Sequence, residues 1–120
     1  VASGPPTRLN IMSNLLHQSC QTQGLHAMSD AVIHDHLAQV SGWHLNQGAI
    51  EKTFGFKNYH ETIAFVNALA WIAHTEDHHP ALAVSFDRCV VRFDTHSVGG
   101  VTINDFICAA KADALIAFVA

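Results

Sequence analysis

Glu76-Asp77-His78-His79-Pro80 and, downstream, Thr95-His96 bring three imidazoles and two carboxylates into two short stretches of the chain. Imidazole has an ordinary pKa near ~6.5, so it both gives and takes a proton around neutral pH. Asp77, beside the histidine pair, has the chemistry to orient a ring or balance its charge. Neighbouring residues point in different directions, so His78 and His79 are expected to have separate tasks. One stretch falls at a helix end and the other where a strand runs into a loop, both places where side chains project from a rigid frame. The pattern points to proton transfer. A single such histidine is more often a solvated surface residue, so the weight rests on the combination.

Other clusters carry less. Three histidines invite a metal reading, and His74 and His78 have the spacing of helical ligands. Adjacent histidines diverge, however, and chelate one ion poorly, so no metal site is expected. In His34-Asp35-His36 the two rings stand at helical positions that do not face each other, which describes a solvated face. Cys89 and Cys108 lie among apolar residues and read as small core residues. Gly99-Gly100 lacks the spacing and context of a phosphate loop and instead lets the chain turn.

Composition narrows the classes. The chain has 120 residues, which suits one domain. A formal net charge of −4, with only six Lys and Arg, gives no basic footprint for nucleic acid. Hydrophobic residues make up 49% and charged residues 13%, low for a lone monomer, so self-association is expected. The three cysteines are far apart, without a CxxC pair, and read as free thiols in a reducing compartment. No apolar run approaches the ~20 residues needed to cross a bilayer.

The spacing of apolar residues predicts the frame. Residues 1–8, with Ser3, Gly4, Pro5 and Pro6, read as a mobile tail. A weak helical pattern follows from Leu9 to about Gln23, with Leu9, Met12, Leu15 and Leu16 on one side. Residues 1–28 are thus expected to be an N-terminal extension, partly disordered or weakly helical. Ser29 caps a clearer helix carrying Ile33, Leu37 and Val40. Trp43 and Leu45, the turn Asn46-Gln47-Gly48, then Ile50, Phe54 and Phe56 predict a hairpin. Asn58 and Glu61 have capping-box spacing before a helix with Phe65, Leu69 and Ile72 on its buried stripe and Val66 and Ala73 beside it. Pro80 stops that helix. Val84 and Phe86 suggest a third strand, and Cys89, Val91 and Phe93 one face of a fourth. Thr102 and Asp105 form a capping box on a last helix whose buried side is Ile103, Phe106, Ile107, Ala110, Ala114 and Phe118. The order α-β-β-α-β-β-α predicts an α+β domain with a four-stranded antiparallel sheet and helices on one face.

Asp77-His78-His79-Pro80, Thr95-His96, Gly99-Gly100 and Thr102-x-x-Asp105 together closely resemble the pterin-4a-carbinolamine dehydratase family. Ser41-Gly42-Trp43 and Ile50-x-x-x-Phe54-x-Phe56 match its strand region, and the resemblance covers residues 29–120. It implies the same α+β fold. It implies a lyase that dehydrates 4a-hydroxytetrahydrobiopterin to quinonoid dihydrobiopterin in tetrahydrobiopterin recycling. The catalytic residues it implies are His78, His79 and His96, with Asp77, Pro80, Thr95 and Asp105 binding or orienting the substrate. It implies no metal and no cofactor, the pterin being the substrate, and a homodimer or homotetramer. The charge, the free thiols and the apolar pattern add the expectation of a cytoplasmic protein without nucleic-acid or membrane partners. The expected division of labour gives the leaving hydroxyl to His78 and His96, and the pterin ring to His79. The chain departs from the family pattern at His74, where animal members have a glutamate, at Leu82, where a tryptophan is common, and over Phe86-Asp87-Arg88-Cys89. Two alternatives stand beside this reading: a non-catalytic dimerisation or pterin-binding module of the same fold, and a metal-dependent hydrolase using the same histidines.

Overall fold

The structure is a computed structural model that describes residues 14–38 and 40–116. Two hairpins build its sheet. In the first, β1 (His44–Asn46) pairs antiparallel with β2 (Ala49–Gly55) through Leu45↔Ile50. The connection is Gln47-Gly48, with φ of 49° and 79°. Positive φ at both central residues gives the twist that a two-residue hairpin needs. In the second, β3 (Ala81–Val84) turns back into β4 (Arg88–Phe93). The sheet order is β1-β2-β4-β3, all antiparallel, so β2 and β4 are central and β3 is an edge.

The register sorts the faces. Ile50 pairs with Phe93, Lys52 with Val91 and Phe54 with Cys89. Ile50, Phe54, Cys89, Val91 and Phe93 are buried in the core, as the period-2 pattern predicts. Leu82 and Val84 pair with Val91 and Cys89 on that same face but remain exposed, because the helical layer does not reach the edge. Phe86, expected on the third strand, lies beyond its end in the turn and is also exposed.

Among the described residues, three helices of two turns or more pack on the sheet's apolar face. α1 (Asp30–Leu37) starts where the Ser29 hydroxyl accepts the Val32 N–H. α2 (Tyr59–Glu76) starts where the Asn58 side chain accepts the Glu61 N–H. The expected reciprocal bond is displaced by one residue, since the Glu61 carboxylate accepts from Lys57 N–H instead. The buried stripe of α2 is Thr62, Phe65, Leu69 and Ala73. Thr62 belongs there because its hydroxyl is satisfied inside the fold, by the carbonyls of Asn58 and Phe86.

α3 (Ile103–Ala114) departs from the one-sided expectation: every residue from Asn104 to Ala110 is buried. The far side is covered by the stretch before α1. Residues 14–17 are helical, and the pattern expected to reach Gln23 ends there. Leu15 enters the core, Lys111 donates to the Leu16 carbonyl, and Met28 N–H donates to the Val101 carbonyl. Gln21 and Asn104 exchange two hydrogen bonds, of 2.8 and 2.9 Å. The far end of α3 is tied to the sheet by Asp113, which accepts from the Trp43 indole at 3.0 Å and from Lys52 at 2.8 Å. The expected contributions of Leu9, Met12 and Phe118 lie outside the described residues. No helix among those described is long and apolar enough to cross a membrane.

Candidate active site

The end of α2 decides where the histidine pair goes. Asp77 adopts the left-handed conformation, φ 50° and ψ 44°, and closes the helix. His78 N–H reaches back to the Ala73 carbonyl, giving the 6→1 bond of a Schellman-type end. The chain then leaves the helix as β3. His78 turns inward over Phe93, its ring parallel within 10° and centred 6.0 Å away. His79 turns outward, as the divergence of neighbouring side chains predicts.

The carboxylate that holds His78 comes from α3. His78 Nε2–H donates to Asp105 Oδ1 at 2.5 Å, and the Asp105 side chain is wholly buried. The other oxygen, Oδ2, accepts from the Thr95 hydroxyl at 2.8 Å and from Thr102 N–H at 2.9 Å. Thr95 uses its only hydroxyl hydrogen on Asp105, so the bond between the two threonines, 2.8 Å long, runs from Thr102 to Thr95. Thr102 Oγ1 in turn accepts Asn104 N–H. This closes the capping box that the Thr102/Asp105 spacing predicts, and the same carboxylate serves the histidine.

Burial of an ionised carboxylate is costly unless its lone pairs are met by donors. Here an imidazole, a hydroxyl and a backbone amide meet them. The reciprocal effect falls on the ring: hydrogen bonding to Asp105 raises the His78 pKa above its ordinary value, against an opposing effect of burial. Charges on Asp105, Cys20 and Asp94 add to the rise. With Nε2 committed to Asp105, Nδ1 is the nitrogen left to exchange protons.

His96 enters through the same hub. Thr95, at the end of β4, is buried and bonded to Asp105, and its backbone N–H donates to the Gly100 carbonyl at 2.8 Å. His96 follows it, exposed, in a 3₁₀ turn over His96–Val98 that ends at Gly99 with φ 66°. That positive φ is the reason for glycine here. His79, Pro80 and Leu82 line a cavity of about 200 Å³ with Leu69, Ala70 and Ala73. Leu82 thus forms an apolar wall beside His79.

Asp105 therefore brings together His78, Thr95 and the start of α3; His79 and His96 are each the next residue along the chain from a member of this hub, and both are exposed. Among the described residues no hydrogen bond joins the Asp77 carboxylate to a histidine; what Asp77 supplies is the αL cap. No group of three or more His, Cys, Asp or Glu among the described residues is arranged to hold a metal ion. His36, placed on a solvated face by the sequence, is half-buried, its ring 5.0 Å from that of Phe106. His74 lies exposed beside Trp71. Sequence reasoning gave no role to Cys20 or to the Glu76 carboxylate. Cys20 N–H donates to Glu76 Oε1 at 2.8 Å, at the end of α2. Only a fold-level contact between residues 56 apart carries that signal.

The fold and this site define an α+β domain in which a buried carboxylate at a helix start holds a histidine from the preceding helix. The family profile described as Pterin 4 alpha carbinolamine dehydratase matches residues 26–115. Over 92 residues the chain is 61% identical to a provisionally named pterin-4-alpha-carbinolamine dehydratase of Stenotrophomonas maltophilia, covering 75% of this chain and 79% of that protein. A Chromobacterium violaceum protein with the same provisional name is 52% identical over 103 residues, covering 85% and 95%. The crystal structure of a transcriptional coactivator/pterin dehydratase from Brucella melitensis superposes with a TM-score of 0.72 at 29% identity, covering 75% of this chain and 98% of that one. The chain belongs to the pterin-4a-carbinolamine dehydratase family.

Proposed function

We propose that this protein is a metal-independent hydro-lyase that removes water from a 4a-hydroxytetrahydropterin, with 4a-hydroxytetrahydrobiopterin as the substrate and quinonoid dihydrobiopterin as the product. The observation that carries the proposal is the His78–Asp105 pair, an imidazole fixed in place and biased toward its protonated form by a buried carboxylate. In the reaction the C4a–O bond breaks, the N5 proton leaves and a C4a=N5 double bond forms. The departing hydroxyl needs an acid, and N5–H needs a base. His78, protonated on Nδ1 and charge-balanced by Asp105, gives its proton to the hydroxyl. His96, which follows the hub residue Thr95 in the chain, shares that task. His79 binds and polarises the flat heterocycle against the apolar wall of Leu69, Ala73 and Leu82. Asp77, Pro80, Thr95 and Asp105 orient this set. The same set of imidazoles takes up the N5 proton, so one proton is given and one removed without a metal or an added cofactor.

The same reading includes a cytoplasmic homodimer or homotetramer. Its support is the edge strand β3, where all four residues are exposed and the apolar Leu82 and Val84 face the core side uncovered. Light scattering on the purified chain measures the assembly. The test of the reaction is stopped-flow loss of synthetic carbinolamine, comparing the wild type with His78→Ala and His96→Ala. Rapid loss in the wild type and slow loss in both variants is expected. Wild-type rates in both variants would end the assignment. No acceleration by the wild type would leave the non-catalytic module as the better reading.

A further inference from the structure

Among the described residues, a pair of thiols meets outside the His78–Asp105 hub. Cys20 Sγ lies 3.5 Å from Cys108 Sγ, joining residues 88 apart in sequence. All three cysteines are free thiols, and Cys89 is buried elsewhere in the core. Cys108 is on α3 one turn after Asp105 and is wholly buried, whereas Cys20 is half-buried. A disulfide needs its sulfurs about 2.05 Å apart, with the two side chains already directed at each other. The thiol–thiol contact supplies the direction, and the remaining approach is about 1.5 Å.

The surroundings hold Cys20 in that position. Its backbone N–H donates to Glu76, and its Sγ approaches the Asn104 carbonyl at 3.8 Å. The reciprocal Gln21–Asn104 bonds fix the next residue. The thiols are also chemically unequal. The hydrogen bond from Cys108 lowers the Cys20 pKa against an opposing effect of burial, and the charge of His78 adds to the lowering. The same bond, then burial, pushes the Cys108 thiol up. An accessible sulfur with thiolate character beside a buried protonated one is the arrangement of an attacking and a resolving thiol.

We propose that Cys20 and Cys108 form a peroxide-responsive dithiol, closing to an intramolecular disulfide that fastens the segment before α1 to the first turns of α3. The Cys20 thiolate attacks a peroxide oxygen; the O–O bond breaks, hydroxide leaves and Cys20 becomes a sulfenic acid. Cys108 sulfur then attacks Cys20 sulfur. The S–O bond breaks, the S–S bond forms, and the hydroxyl leaves as water with the Cys108 proton. Two thiols lose two electrons, and one hydrogen peroxide is reduced to two waters. This step is independent of pterin turnover.

The experiment exposes the whole chain to hydrogen peroxide, quenches it, unfolds it and alkylates the remaining thiols before intact-mass and peptide analysis. Alkylation should fall from three thiols to one, with Cys20 and Cys108 recovered as one linked peptide and Cys89 alkylated. Dithiothreitol should restore all three. In Cys20→Ser, Cys108 and Cys89 should both stay alkylatable after peroxide. The proposal is overturned if all three wild-type thiols remain alkylatable, if Cys20 is carried to a sulfinic acid with Cys108 intact, or if the bridge forms between two chains.

Discussion

His78 Nε2 and Asp105 Oδ1 meet at 2.5 Å, joining the end of α2 to the start of α3 beneath the surface. The pair is asymmetric, since the ring keeps 11% side-chain exposure and the carboxylate has none. The ring therefore retains a route to solvent and substrate, and the carboxylate acts only through what it touches.

The raised His78 pKa makes this contact pH-dependent. A group whose pKa is higher folded than unfolded contributes its full stability below the unfolded value, ~6.5 for histidine, and loses it as pH climbs through the folded value. The gap in melting temperature between wild type and His78→Gln should be widest near about pH 6 and narrow toward about pH 9. Calorimetry on both proteins across that range measures it, and a gap that widened with pH would contradict the direction of the shift.

Asp105→Ala should be among the most damaging single changes in the chain. It leaves the Thr95 hydroxyl, Thr102 N–H and the His78 ring without their common acceptor. Loss of one partner from a buried charged network costs about 3–5 kcal/mol. Asp105→Asn, which keeps an acceptor but not the charge, should cost less, roughly 1–3 kcal/mol. It should also bring the His78 titration, followed by NMR, back down. Urea unfolding of both variants tests the order.

His78→Ala and His96→Ala should each slow carbinolamine loss by roughly 10²–10⁴-fold, the usual worth of a general acid or base. His79→Ala, acting on ring binding, should raise KM more than it lowers kcat. Steady-state and single-turnover kinetics separate these effects, and an unchanged KM in His79→Ala would remove it from the binding wall.

Asp113→Ala should cost about 1–3 kcal/mol, chiefly because the indole N–H of Trp43, a residue 5% exposed, loses its acceptor. The partly exposed Lys52 bond should add little. Trp43 fluorescence should shift along with the unfolding midpoint, and a change in one without the other would separate the indole contact from stability.

Much of the frame was legible because local rules act alone there. Period-2 alternation found Ile50, Phe54, Cys89, Val91 and Phe93, and Ser29, Asn58 and Thr102 marked their helix starts through bonds to nearby amides. The remainder depended on residues distant in sequence. α3 is buried all round because residues 14–28 cover its far side, which no pattern within the helix announces. Leu82 and Val84 obey the alternation yet stay exposed, because edge position is a property of sheet order. In the site, Thr102-x-x-Asp105 reads as a cap from spacing alone, and the family resemblance gave Asp105 an orienting part. That its second oxygen takes His78 needed the packing of α2 against α3.

Asp105 answers to two demands with one group: Oδ2 completes the cap that begins α3, and Oδ1 steadies the imidazole. Fraying of that first turn would thus release the ring at the same moment. On the proposed mechanism, a molecule with a damaged helix start drops out of turnover, and across a population specific activity becomes a count of intact chains. Retuning the His78 imidazole and loosening the scaffold around it are not separate options here, because both pass through the same two oxygen atoms.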